Sequence, residues 1–80
     1  MLKPEQCRAG RALLDWTQSE LAAQVPISAV SIRAFEKGGE MRVSNQTLLR
    51  EAFEAAGVVF IDENGGGGAG ARLEKLQGGA

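Results

Sequence analysis

The spacing of apolar and polar positions changes once along this chain, after Gly57. Before that point apolar residues recur three and four apart, the period of helices with one face in a core. After it, Val58-Val59-Phe60-Ile61 is a short run of β-formers bounded by turn residues, the pattern of a strand. The first part predicts four helices. The first runs from about Pro4 to Asp15, where proline suits an opening turn and Glu5 complements the helix dipole. The second runs from about Gln18 to Gln24, and the third from about Ser28 to Lys37. The fourth is capped by Ser44, carries Leu48, Leu49, Ala52, Phe53 and Ala56, and stops at Gly57. Together they imply a compact bundle around Leu13, Leu21, Ile32, Phe35, Leu48, Leu49 and Phe53. Trp16 precedes the cap of the second helix and is expected to pack toward Leu21 as a hydrophobic staple.

The middle of the chain, Thr17 to Gly38, has the clearest local grammar. Thr17 and Glu20 have the spacing of a capping box. Pro26 lacks an N–H and cannot continue the helix that Leu21, Ala22 and Val25 begin. Ser28 caps the next helix, in which Ile32 and Phe35 face inward and Gly38-Gly39 form the stop. Helix, sharp turn and helix at this length is the helix-turn-helix pattern.

After Phe60-Ile61 come Asp62-Glu63-Asn64, a glycine cluster, and Ala71-Arg72-Leu73. Asn64-Gly65 is a hairpin-turn signal, so residues 58–76 are read as a β-hairpin and residues 77–80 as a disordered tail. A short helix over Ala71–Gln77 is the alternative, since those residues are good helix formers. A lone hairpin is marginal in water, and an open strand edge invites a second chain. A homodimer contacting through Val58, Val59, Phe60 and Ile61 is therefore expected; the other outcome is a strand that covers its own bundle. Gly65, Gly67 and Gly70 match a dinucleotide-binding glycine pattern, but too little chain follows for a βαβ unit.

Composition narrows the chemistry. The net charge is −1 and there is no histidine. One cysteine excludes an intrachain disulfide and the common zinc spacings, so no metal or other cofactor is expected. Cys7 reads as a small, partly buried apolar residue. With no nucleophile–base pair, an enzyme is not expected. No secretion signal or membrane-spanning run is evident, and a lone cysteine suits a reducing cytoplasm. A near-neutral chain binds nucleic acid only if its charges are segregated.

The segment ELAAQVPISAVSIRAFEKG is similar to the Xre-type, lambda-repressor-like DNA-binding family, with Gln18, Leu21, Ala22, Ile27, Ser28, Ile32, Phe35, Glu36 and Gly38 in matching places. The resemblance covers about Glu5 to Gly57, with Pro26 where the family usually has a turn glycine. It implies a mainly α, four-helix, lambda-repressor-like helix-turn-helix bundle over residues 1–57, with the C-terminal strand or hairpin added. It further implies a transcriptional regulator that binds double-stranded DNA as a homodimer, with its third helix in the major groove. Half-sites would then lie about 34–36 Å apart. In this reading Ala29, Val30, Ser31 and Arg33 approach base edges, and Arg33 alone can grip guanine with two donors. Gln18, Ser28, Lys37 and Arg42 approach phosphates, or Gln18 props the recognition helix instead, while Glu36, the family's usual acid, ties structure together. An ion pair from Arg33 to Glu36 or Glu40 is the competing role for that arginine. Arg8 and Arg11 share a helix face and serve either solvent or phosphate. The second functional class is an antitoxin-like protein-interaction module whose strand adds to a partner's sheet.

Overall fold

The computed structural model describes residues 1–75; the expected disordered tail, residues 77–80, lies outside them. Four helices come first: α1 (Pro4–Leu14), α2 (Gln18–Ala22), α3 (Ala29–Glu36) and α4 (Val43–Ala55). Strands β1 (Val58–Ile61) and β2 (Gly70–Leu73) follow and pair antiparallel, with Val58 opposite Leu73 and Ile61 opposite Gly70. The fold is mainly helical with a short C-terminal β-hairpin, as the change of period implies. Strand, not helix, is the outcome at Ala71–Leu73.

Local chemistry sets the helix ends. Thr17 Oγ1 accepts from the Glu20 N–H at 3.0 Å, and Glu20 Oε1 accepts from the Thr17 N–H at 2.9 Å, a complete capping box. α2 ends at Ala22, two residues before the expected Gln24. Its last bonds close three residues back, from the Gln24 N–H to Leu21 O and from Val25 to Ala22, and Pro26 has no N–H to add. No residue between Ala23 and Ser28 needs a positive φ, so a proline fits where a glycine is usual in the resembled family. α1 closes on Asp15 at φ 57°, with the Trp16 N–H on Arg11 O and the Asp15 N–H on Ala12 O. α3 closes the same way through Gly38 at φ 101°, and a Cβ on Gly39 would sit 2.8 Å from Ala34 O. The expected Ser44 cap of α4 is corrected. The Arg42 carbonyl takes the first helical bond, from the Gln46 N–H at 3.1 Å, so Ser44 already lies inside the helix.

The core is built from Leu2, Cys7, Leu21, Ile27, Ile32, Phe35, Leu49, Phe53, Val58 and Phe60. Two expected members are corrected: Leu13 and Leu48 are 37% and 36% exposed. Each adjoins a second leucine, and neighbours on a helix point about 100° apart, so only one of each pair can face inward. α1 instead turns Cys7, Gly10 and Leu14 toward the interior. A Cβ on Gly10 would lie 2.9 Å from the Phe53 ring, so glycine sets how closely the two helices approach. Trp16 is half-buried and stacks on Phe53 with ring centroids 6.0 Å apart, while Phe60 meets Phe53 edge-on at 5.6 Å.

The hairpin therefore shares the helical core. β1 alternates between buried and outward positions, as a half-buried strand does. Val58 and Phe60 point into their own bundle and are not available to a second chain, which corrects half of the expected dimer set; Val59 is half-buried and Ile61 faces out. The buried amide of Gln6 fixes the hairpin from below. Its Nε2 donates to Ile61 O at 3.2 Å and Gly70 O at 3.3 Å, and its Oε1 accepts from the Lys3 N–H at 3.0 Å.

Candidate nucleic-acid interface

α3 has two chemically opposed faces. Its inner face carries Ile32, Phe35 and Glu36, all buried. Glu36 is the centre of a polar cluster that joins α1, α2 and α3. Arg11 grips it with two donors, Nη2 to Oε1 at 2.7 Å and Nε to Oε2 at 2.8 Å. Gln18 Nε2 donates to Oε1 at 3.1 Å, and the Cys7 thiol donates to Oε2 at 3.1 Å. Arg11 also donates to Trp16 O at 3.0 Å, and Arg8 donates to Glu36 O. Burial alone would raise the Glu36 pKa, but the bonds from Arg11, Cys7 and Gln18 outweigh it and hold the carboxyl below its ordinary value. Burial, together with the neighbouring carboxylate, pushes the Cys7 thiol far above its ordinary value, so it stays protonated and is no nucleophile.

The cluster decides several roles that the sequence left open. Arg11 serves neither solvent nor phosphate; it neutralises Glu36. The side-chain amide of Gln18 donates to Glu36 and so props α3 from beneath, one of the two roles expected of it. Ser28 is occupied in part as well. Its Oγ accepts from the Ser31 N–H at 3.1 Å and donates to Ser31 Oγ at 3.1 Å, which orders the first turn of α3. The signal for the cluster was present in the sequence, since Cys7 and Arg11 are four apart on one helix face. Their shared partner lies on a remote helix, which local spacing does not identify.

The outer face of α3 is open. Val30 is 79% exposed; Ser31, Arg33, Ala34 and Lys37 are exposed, and Ala29 is half-buried. Arg33, Lys37 and Arg42 make no ion pair among the described residues, so neither competing pairing of Arg33, to Glu36 or to Glu40, is present. Between residues 28 and 43 the bases are Arg33, Lys37 and Arg42 and the acids are Glu36 and Glu40. Burying Glu36 against Arg11 leaves three free bases facing one exposed acid. The surface is thus more basic than the sequence suggests. Beside α3, Ser31, Ala34, Glu40, Met41, Arg42 and Asn45 line a polar recess of about 560 Å³. Asn45, in the first turn of α4, was not singled out from the sequence. Glu51, Glu54, Asp62 and Glu63 are exposed on α4 and the hairpin loop, apart from α3 in the chain.

Among the described residues no group of side chains could hold a metal ion, and no helix is long and apolar enough to cross a membrane. No protein-family model and no curated protein matches the chain.

Proposed function

We propose that this protein is a sequence-specific DNA-binding transcriptional regulator of the lambda-repressor-like kind, acting in the cytoplasm as a homodimer. The observation that carries the reading is the division of α3. Its one acid is buried and neutralised, while its outer face offers small residues and unpaired bases. Close approach to a groove needs small side chains, and attraction to phosphate needs net positive charge. In this reading α3 lies in the major groove. Arg33 donates to guanine, Ser31 to a base or phosphate, and Ala29 and Val30 meet thymine methyl groups. Lys37, Arg42 and the Ser28 end of the helix face phosphates. No catalytic step is assigned.

The test is footprinting on DNA upstream of the protein's own coding region, with salt varied. The expected result is a protected two-fold repeat whose affinity falls with salt. Arg33→Ala is expected to weaken specific binding roughly 5- to 100-fold, the worth of one two-donor guanine contact. Unchanged protection by Arg33→Ala would contradict the assignment of α3. The open edge of the hairpin favours a second reading, a module whose strand adds to a partner protein's sheet. Protection absent at every salt concentration would move the weight there.

A further inference from the structure

The hairpin ends in a β2 edge whose outward main-chain groups have no partner among the described residues. The Glu74 N–H donates to Gly57 O at 2.7 Å, which marks Gly57 and Glu74 as a hydrogen-bonded pair. Bonded and non-bonded pairs alternate in an antiparallel ladder. Val59–Arg72 and Ile61–Gly70 are then bonded, and Val58–Leu73 and Phe60–Ala71 are not. The main-chain groups of Ala71 and Leu73 consequently point away from β1, and among the described residues they have no main-chain partner outside the sheet. Leu73 is 48% exposed although it belongs to the apolar face of the strand. It borders a groove of about 370 Å³ lined with Leu13, Leu14, Ala56 and Gly57.

We propose that this edge pairs with the same edge of a second copy, antiparallel and centred on Leu73. The sequence Ala71-Arg72-Leu73-Glu74-Lys75 selects that register by charge. A two-fold axis at Leu73 sets Arg72 directly opposite Glu74 of the other copy, twice, on the outer face. It sets Leu73 against its own counterpart on the inner face, where the two apolar grooves meet. Main-chain bonds run between the paired Leu73 residues, and between Ala71 and Lys75 once the strand continues that far. A register centred on Arg72 would instead oppose two arginines, which is unfavourable. The result is one four-stranded sheet with the two β2 strands at its middle. The seam deepens the homodimer reading above and rests on it. It moves the contact from Val58–Ile61 to β2, whose main contacts are with β1 and α1.

The test uses the full chain without DNA, by light scattering after size exclusion, so failure to bind an operator cannot be confused with failure of the seam. Wild type is expected to be a dimer. Arg72→Glu and Glu74→Arg each place like charges opposite one another twice, and each is expected to weaken the dimer roughly tenfold or more. Mixing the two variants restores both charge pairs and is expected to give a heterodimer. Circular dichroism checks that each variant keeps its helices. A monomeric wild type, variants that dimerise as wild type does, or a mixture that stays monomeric each overturns the proposal.

Discussion

α3 and β2 are both outward-facing elements fixed from beneath by a buried polar side chain, and they leave different chemistry exposed. Under α3 the anchor is an ion. Glu36 is held by Arg11, Gln18 and Cys7, and what remains outside is unpaired positive charge. Under the hairpin the anchor is neutral. Gln6 donates to carbonyls of both strands, and what remains outside is an open main-chain edge. A neutralised acid below a helix makes its outer face suited to a polyanion. A neutral clamp below a strand leaves an edge suited to another strand. The proposed division of labour follows from what each anchor consumes.

The largest expected effect breaks the charged anchor. Glu36→Ala leaves Arg11 without its carboxylate partner in a largely buried site and is expected to cost about 3–4 kcal/mol in urea unfolding. Acid should do the same gradually. The Glu36 pKa is depressed in the folded state, so its contribution is complete above the ordinary carboxylate value of 4.5 and is lost as pH falls below it. Glu36→Gln is expected to flatten the stability–pH curve in that range.

The neutral anchor should matter less and more locally. Gln6→Ala leaves the Lys3 N–H without its acceptor and removes the second donor from the Ile61 and Gly70 carbonyls. The expected cost is about 1–3 kcal/mol. Hydrogen exchange should accelerate at the Val59 and Arg72 amides well before those of α3. Equal acceleration in both regions would show that the two anchors do not act separately.

The partners of both anchors were illegible in the sequence for the same reason. Local features were readable: the Thr17–Glu20 box, the glycine stops at Gly38 and Gly57, and the change of period that separates helices from hairpin. Gln6 finds its carbonyls 55 and 64 residues away, and Arg11 finds Glu36 25 residues away. Such partners are set by packing, which periodicity does not encode. Leu13 and Leu48 failed for a related reason. Adjacent leucines look equally apolar, and tertiary packing, including the close approach of α1 to Phe53 at Gly10, selects which one is buried. On the outer face of α3 and beside it, Arg33, Lys37 and Arg42 were legible as bases, whereas the acid that Gln18 props against was not.

The smallest expected effect lies between the two regions, where α1 ends on a non-glycine residue in the left-handed conformation. Asp15 at φ 57° carries a cost that glycine does not. Asp15→Gly is expected to stabilise the chain by up to about 1 kcal/mol, the relief of the left-handed conformation less the added freedom of glycine in the unfolded chain, read from the unfolding midpoint and without altering either anchor. A loss of stability would show that the Asp15 side chain has a role beyond closing the helix.

The most direct test of the central claim compares wild type with Arg33→Ala on the upstream DNA at one fixed salt concentration, with thermal melts of both proteins alongside. Arg33 is exposed and unpaired, so the melts should coincide within about 0.5 kcal/mol. The account predicts that the two protected half-sites fade with Arg33→Ala while the fold is untouched. Protection identical to wild type at the same protein concentration would contradict it.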